Sequence, residues 1–263
     1  MSRHIISTEE NWSSRNSPGA AGHKSVEYGY TPTFQNNPAS PSSLLASLFP
    51  PGVAAAELRT AGDPSLLLPD EAKQLVRAVP KRMQEFAAGR LCARRALAEF
   101  GFIDYPLRMH SDRRPQWPDT VVGSISHTTG MCGAVVARQS QFRAIGLDME
   151  IVGQVTPEIW PTICTPEEMV WLAALRELEQ VRCAAIIFSA KESFYKCQNG
   201  VTRQWLEYDD VTVDIPANYA SSGCFALRPR RSIALLEYDT KSWKGRFEFH
   251  GNLVVTGMVL EAR

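Results

Sequence analysis

Several segments of this sequence carry charged side chains at spacings that suit chemistry on a phosphate. In "AIGLDMEIV", residues 144–152, Asp148 and Glu150 alternate with apolar residues, so a β-strand would place both carboxylates on its polar face. Two adjacent like charges repel each other unless water or a cation relieves the repulsion. Carboxylates at this spacing suit Mg²⁺, which proteins often hold by one or two carboxylates plus substrate phosphates. From these two residues alone, a solvated strand face is the more common alternative.

Two further segments offer an acid, a base and a hydroxyl. In "FSAKESFYK", a helix would present Phe188, Glu192 and Lys196 on one face, either as an ordinary Glu-to-Lys pair or as functional groups. In "SISHTTG", Ser126 and His127 end a strand before a turn. Adjacent strand residues point to opposite faces, and "GSISH" is not a G-x-S-x-G elbow, so hydrolase chemistry is disfavoured. Both side chains are candidate phosphate ligands, with a plain surface histidine as the alternative.

An arginine lies on the apolar stripe of the clearest helix. "PKRMQEFAAGRLCARRALAEFG" has Pro80 to open the helix and Gly101 to stop it, and its apolar residues recur at helical spacing. Arg90 falls on that apolar stripe, with Arg94 one turn further on. Desolvating a guanidinium costs several kcal/mol unless an anion meets it. Arg90 therefore faces either an internal carboxylate or a ligand phosphate.

Composition indicates a globular protein without a general nucleic-acid-binding surface. The 263 residues are 44% hydrophobic, and 28 basic residues balance 28 acidic ones. The charges are nevertheless segregated: residues 81–114 carry eight Lys or Arg against four Asp or Glu, and residues 148–180 carry seven acidic residues against one Arg. No apolar run approaches the roughly 18 residues of a membrane span, and no signal sequence is evident. Six scattered cysteines predict reduced, packed thiols, so we expect a cytoplasmic protein.

The chain divides by composition into a tail and two lobes. Residues 1–43, rich in Ser, Asn, Pro and Gly, predict a disordered tail. An N-terminal lobe over 44–143 and a C-terminal lobe over 144–263 each combine a long helix with strands. In the second lobe, "TPEEMVWLAAL" predicts a helix capped by Thr165 and Glu168, followed by the helix "VRCAAIIFSAKESFYKCQ". "DDVTVDI", "RSIALLEYD" and "NLVVTGMVLEA" predict antiparallel strands.

Five segments in order resemble one family, the 4′-phosphopantetheinyl transferases of the larger monomeric type, and its enterobactin synthase component D subgroup in particular. They are "AAGRLCARRAL", "RRPQWP", "GSISH", "GLDMEIV" and "FSAKESFYK", within residues 80–200. The resemblance implies an α+β fold of two similar lobes related by a pseudo-twofold axis. Each lobe would be a small antiparallel sheet packed on a long helix, with the active site in the cleft between them. Two departures, Phe188 where many members have Trp and Met149 within D-x-E, change no charged role.

The resemblance also implies roles for the residues singled out above. Asp148, Glu150 and Glu192 would hold Mg²⁺ against the pyrophosphate of coenzyme A, which Asp148 and Lys196 would also contact. Glu192 is in addition the candidate to take a proton from the acceptor serine. The other implied coenzyme A ligands are Arg82, Arg90, Arg114, Ser126, His127 and Lys191.

The reaction implied is the transfer of phosphopantetheine from coenzyme A to a serine of an apo acyl, peptidyl or aryl carrier protein, releasing adenosine 3′,5′-bisphosphate. Positioning and charge neutralisation supply most of the catalysis in such a transfer. A metal-dependent phosphohydrolase acting on a nucleotide pyrophosphate is one alternative, and a non-catalytic coenzyme A or carrier-binding protein is another. One chain of two lobes can build the whole cleft, so a monomer is expected, with neither nucleic acid nor membrane as partner.

Overall fold

The computed structural model describes residues 43–75, 78–216, 220–234 and 243–262, and it has an α+β architecture with two antiparallel sheets. The strands are Val53–Leu58 (β1), Val121–Thr128 (β2), Met131–Arg138 (β3), Phe142–Ile151 (β4), Val211–Asp214 (β5), Ser222–Pro229 (β6), Lys244–His250 (β7) and Leu253–Glu261 (β8). The α-helices are Pro69–Ala72 (α1), Pro80–Ala98 (α2), Trp160–Ile163 (α3), Pro166–Ala173 (α4) and Glu177–Thr202 (α5). The short 3-10 turns are Ala46–Leu48, Pro64–Leu66, Lys73–Leu75 and Tyr208–Asp210. Apart from Ser43, the predicted tail lies outside the described residues.

The first lobe is a three-stranded sheet in the order β1-β3-β2, with α2 packed against it. Pro80 occupies the first turn of α2, and Gly101 follows the helix with a positive φ of 85°. Both sequence signals for this helix are therefore confirmed. A tight turn at Gly130, where φ is 80°, joins β2 to β3. The turn brings the Ser126 end of β2 beside the start of β3.

The second lobe is a five-stranded sheet in the order β4-β8-β7-β6-β5, with the long helix α5 packed on it. The predicted cap of α4 is confirmed, since Glu168 N–H donates to the Thr165 side chain and Thr165 N–H donates to the Glu168 carboxylate. Two sheets, each with a long helix, confirm the two-lobed α+β prediction.

The strand predictions of the second lobe are confirmed in part. "DDVTVDI" and "NLVVTGMVLEA" contain β5 and β8. In "RSIALLEYD" the described residues 231–234 form no strand, so the prediction is wrong there, and residues 235–239 lie outside the described part. The strands that carry the chain between β5 and β8 are instead β6 and β7, which the sequence interpretation did not name.

The apolar parity of β4 faces a core shared by both lobes. Ile145, Leu147 and Met149 are at most 2% exposed and pack with Val135 of β3 and with the Leu45–Phe49 segment. The opposite face of β4 is also covered, because α5 crosses it. Asp148 is consequently only 3% exposed, so the alternative of a solvated strand face is wrong for this carboxylate.

Gly146 allows α5 to approach β4 closely. A Cβ at this position would overlap the backbone carbonyl oxygen of Ser193 in α5. We expect Gly146→Ala to lower the free energy of unfolding by about 1–3 kcal/mol, since two packed backbones must separate. Urea unfolding measures this loss. Gly200→Ala is the matched control on α5, because a Cβ there meets only the Ala144 Cβ at 4.0 Å, and an equal loss in both variants would contradict the close-approach explanation.

Among the described residues, none of the helices has the length and apolar character needed to cross a lipid bilayer. All six cysteines are free thiols and five of them are buried, with Cys224 exposed. The prediction of reduced, mostly packed cysteines is confirmed.

Candidate active site

A cleft of about 720 Å³ opens between the two lobes, a size suited to a cofactor or a small ligand. The helix α2, the loop around residues 109–119 and the end of β2 form one wall, and α5 and the segment at residues 203–211 form the other. The predicted site residues that border it are Arg82, Arg90, Arg114, His127, Lys191, Glu192 and Lys196.

Three predicted residues from different elements meet in one hydrogen-bonded cluster. Lys196 Nζ of α5 lies 2.8 Å from Asp148 Oδ1 of β4 and donates to Ser126 Oγ of β2 at 3.2 Å. Ser126 Oγ in turn donates to Asp148 Oδ1 at 3.0 Å. Ser124 helps to align the strands by accepting a hydrogen bond from Leu147 N–H at 3.1 Å. The two lobes therefore build this cluster together, with Ser126 and Asp148 buried behind Lys196.

Asp148 has one carboxylate oxygen still to be satisfied. Its Oδ2 is buried and has no hydrogen-bond partner among the described residues, whereas Oδ1 accepts from both Lys196 and Ser126. A buried polar atom of this kind costs free energy unless a ligand meets it, and an oxygen donor is the type that Mg²⁺ prefers. However, no group of three or more Asp, Glu, His or Cys side chains stands ready to hold a metal within the described ranges. The predicted three-carboxylate site is thus not preassembled.

Glu192 is bonded to a tyrosine that the sequence interpretation missed. The Tyr208 hydroxyl donates to Glu192 Oε1. Burial, followed by the negative charge of Glu192, raises the pKa of Tyr208 well above its usual range, and Asp148 and Glu150 act in the same direction. The negative charges of all three predicted metal ligands therefore raise the pKa of this one hydroxyl. Tyr208 follows Glu192 by 16 residues, outside any helical period, so only the fold reveals the pairing.

Lys191 is a correction to the predicted coenzyme A ligands. Its ammonium is buried and donates to the Glu168 carboxylate at 2.6 Å and to the carbonyl oxygens of Ile163 and Tyr208, both at 2.8 Å. Burial lowers the pKa of Lys191, and Glu168 opposes that shift. Because these three acceptors use all three N–H groups of the ammonium, Lys191 ties α5 to its neighbours and is removed from the predicted ligand set.

Two arginines of α2, Arg90 and Arg94, lie in different environments. Arg94 forms the internal ion pair, with the fully buried carboxylate of Glu71. Arg90 instead donates from Nε to the Leu107 carbonyl at 2.8 Å, and its guanidinium lies 3.9 Å from the centre of the Phe86 ring. Burial lowers the pKa of Arg90 to about 10, although Glu71 acts against it. The internal carboxylate of Glu71 is thus paired with Arg94, whereas Arg90 borders the cleft.

A carboxylate sits among the predicted phosphate ligands. Glu85 Oε2 lies 4.0 Å from Arg82 Nη1 and 4.0 Å from His127 Nε2, which brings the basic start of α2 beside the end of β2. The sequence interpretation did not single out Glu85, although it lies three residues after Arg82 on the same helix. Arg114, on the loop of the same wall, is paired with Asp112 at 2.7 Å. Arg90, Arg113 and Arg143 also border the cleft, so basic side chains outnumber acidic ones along its lining.

Two family profiles match the chain on either side of the lobe boundary. The profile described as the 4′-phosphopantetheinyl transferase N-terminal domain matches residues 70–137, and the one described as the 4′-phosphopantetheinyl transferase superfamily matches residues 144–245. The 4′-phosphopantetheinyl transferase PptT of Mycobacterium tuberculosis is 33% identical over 83% of this chain and 98% of its own length. The 4′-phosphopantetheinyl transferase Svp of Streptomyces mobaraensis is 35% identical over 75% of this chain and 80% of its own. Enterobactin synthase component D of Salmonella typhimurium is 42% identical, but over 44% of this chain and 48% of its own length.

Proposed function

The chain belongs to the 4′-phosphopantetheinyl transferase superfamily, and from this premise we propose how its cleft moves the phosphopantetheine arm of coenzyme A to a carrier protein. The acceptor is a serine of an apo carrier protein, and adenosine 3′,5′-bisphosphate is the leaving product. The observation that supports this most is the hydrogen-bonded cluster of Lys196, Asp148 and Ser126, which both lobes build and whose Lys196 borders the cleft together with Glu192.

The cationic wall is the proposed binding site for the nucleotide half of coenzyme A. Arg82 and His127 come together around Glu85 and would take the 3′-phosphate. Arg90, stacked on Phe86, would line the nucleotide pocket, and Arg114, on the loop of the same wall, would contribute a second guanidinium.

Asp148, Glu150 and Glu192 are the proposed Mg²⁺ ligands. The buried, unpartnered Oδ2 of Asp148 and the all-oxygen donor set suit this ion. A bound Mg²⁺ would supply charge neutralisation to the pyrophosphate during transfer. Lys196 adds a positive charge from the protein, because its side chain borders the cleft while its ammonium lies 2.8 Å from Asp148 Oδ1.

In the transfer itself, the carrier serine oxygen attacks the phosphorus on the pantetheine side of the pyrophosphate. The bond from that phosphorus to the bridging oxygen breaks, and adenosine 3′,5′-bisphosphate leaves with the bridging oxygen. Glu192 would accept the serine proton, as a base in addition to its role as ligand. Lys196 would stabilise charge on the phosphate oxygens.

The dependence on an acceptor separates this function from the phosphohydrolase alternative. We expect adenosine 3′,5′-bisphosphate to form only when an apo carrier is present, as followed by liquid chromatography of the nucleotides. Release of nucleotide from coenzyme A without a carrier would instead support a hydrolase, and binding without release in any mixture would support a non-catalytic protein. A carrier with its acceptor serine replaced by alanine is the matched control.

His127→Ala tests the proposed 3′-phosphate site. We expect the KM for coenzyme A to rise about tenfold or more, because a hydrogen bond to a charged group is lost. With 3′-dephospho-coenzyme A as substrate, the wild type and the variant should have similar KM values. Steady-state kinetics with both donors measures the difference, and an equal KM increase for both donors would contradict the assignment.

The acceptor class and the cellular setting are also proposals. We propose carriers of siderophore, nonribosomal peptide, polyketide or fatty acid synthesis, with the component D similarity in favour of the siderophore class. The free thiols support a cytoplasmic enzyme, and both walls of the cleft come from one chain, which supports a monomer. Assays with a panel of apo carriers rank the acceptors directly.

A further inference from the structure

Tyr208 is fixed at three points around the active site. Its hydroxyl donates to Glu192 Oε1, and its backbone carbonyl accepts from Lys191 Nζ at 2.8 Å. The centre of its ring lies 5.7 Å from that of Phe188, one helical turn before Glu192. Adjacent residues of α5, Lys191 and Glu192, therefore bind the backbone and the side chain of the same tyrosine.

The segment that carries Tyr208 is itself well anchored. It begins a 3-10 turn, Tyr208–Asp210, in which Glu207 N–H donates to the Asp210 carboxylate at 2.7 Å. Asp210 is also paired with Arg231 at 2.8 Å. A hydroxyl held by such a turn can restrain a partner side chain, because its own position is already determined.

Glu192 needs such a restraint for either of its proposed roles. A glutamate side chain has three rotatable bonds, and a metal ligand or proton acceptor works only when its oxygens are held in place. Ligating carboxylates in metal sites are commonly hydrogen-bonded by outer partners that orient them. Resting on the function proposed above, we propose that Tyr208 is the positioning residue for Glu192, orienting its carboxylate through the hydroxyl hydrogen bond.

Tyr208→Phe tests this role, since it removes the hydroxyl and keeps the ring and the carbonyl bound by Lys191. We expect kcat to fall about 10–100-fold, the range typical of lost outer partners, while the KM for coenzyme A changes less than twofold. A second readout uses Mn²⁺ as the probe, with coenzyme A present and no carrier, and follows free Mn²⁺ by electron paramagnetic resonance. Mn²⁺ affinity should fall about tenfold in the variant.

Two further variants distinguish positioning from a general structural effect. Tyr105→Phe, in the first-lobe core, removes a hydroxyl remote from Glu192 and should leave kcat and Mn²⁺ affinity unchanged. In a Glu192→Gln background, Tyr208→Phe should cause no additional loss of Mn²⁺ affinity, because its effect passes through the Glu192 carboxylate.

The outcomes separate this proposal from the one on which it rests. Wild-type kcat and Mn²⁺ affinity in Tyr208→Phe, together with an inactive Glu192→Ala, would overturn the positioning role alone. Full activity in Glu192→Ala would overturn the role proposed for Glu192 itself. A lost thermal transition in Tyr208→Phe, with additive losses in the Glu192→Gln background, would make Tyr208 a structural residue and also overturn the proposal.

Discussion

Glu192→Ala is expected to reduce kcat for phosphopantetheine transfer by about 10²–10⁴-fold, the range associated with losing a general acid or base. The reason is that this carboxylate is both the proposed proton acceptor and a proposed metal ligand, and no other acidic side chain is hydrogen-bonded to Tyr208 among the described residues. Single-turnover assays with saturating coenzyme A, Mg²⁺ and apo carrier measure the rate without interference from product release.

The controls for Glu192→Ala concern folding and specificity. Because Glu192 lies in the middle of α5, its replacement needs a folding control. The circular dichroism spectrum and thermal transition of the variant should match those of the wild type. Glu177→Ala removes an exposed carboxylate from the first turn of the same helix and should retain wild-type activity. Wild-type turnover in Glu192→Ala would remove this residue from both proposed roles.

Lys191→Met is expected to lower the free energy of unfolding by about 3–5 kcal/mol, the usual cost of removing one partner of a buried ion pair. The carboxylate of Glu168 would lose its cation while still accepting from Thr165 and Val213 N–H groups. The carbonyl groups of Ile163 and Tyr208 would lose their donor as well. Urea unfolding followed by circular dichroism measures this loss.

An exposed ion pair gives the matched control for Lys191. Lys73 lies 2.8 Å from Asp70 with 74% of its side chain exposed, so Lys73→Met should leave the unfolding midpoint close to that of the wild type. A similarly small change in Lys191→Met, combined with a large rise in the KM for coenzyme A, would reinstate Lys191 as a ligand of coenzyme A. Loss of stability with an unchanged KM supports the structural assignment.

The features predicted best from the sequence are those that depend on residues close together in the chain. Pro80 and Gly101 mark both ends of α2, and Thr165 with Glu168 marks the start of α4, because caps and breakers act within a few residues. The alternation around Asp148 correctly placed the apolar residues of β4 on one face. It could not show that α5 covers the other face, since that contact depends on Gly146 and a helix about 50 residues away.

The errors arise where only tertiary structure decides the direction of a side chain. Lys191 and Lys196 flank Glu192 in one motif, but five residues on a helix correspond to a rotation of about 140° between them. One ammonium therefore points to Glu168 and the other to Asp148. A sequence motif alone does not distinguish the two lysines.

Pairings between segments that are distant in the chain also could not be predicted from the sequence. Tyr208 and Glu71 each bind a charged residue of a helix through the fold and not through any helical spacing. The strands β6 and β7 do alternate in burial, with Phe225, Leu227, Phe247 and Phe249 on the buried face, and this period of two is a signal that predicts a strand.

The proposed transfer is tested most directly by the intact mass of a purified apo carrier protein after incubation with this protein, Mg²⁺ and coenzyme A. We expect the carrier to gain one phosphopantetheine arm on its serine, and the gain to disappear when EDTA removes the metal or when the acceptor serine is alanine. Unchanged carrier mass across a panel of acyl, peptidyl and aryl carriers, with coenzyme A intact, would contradict the proposed transfer.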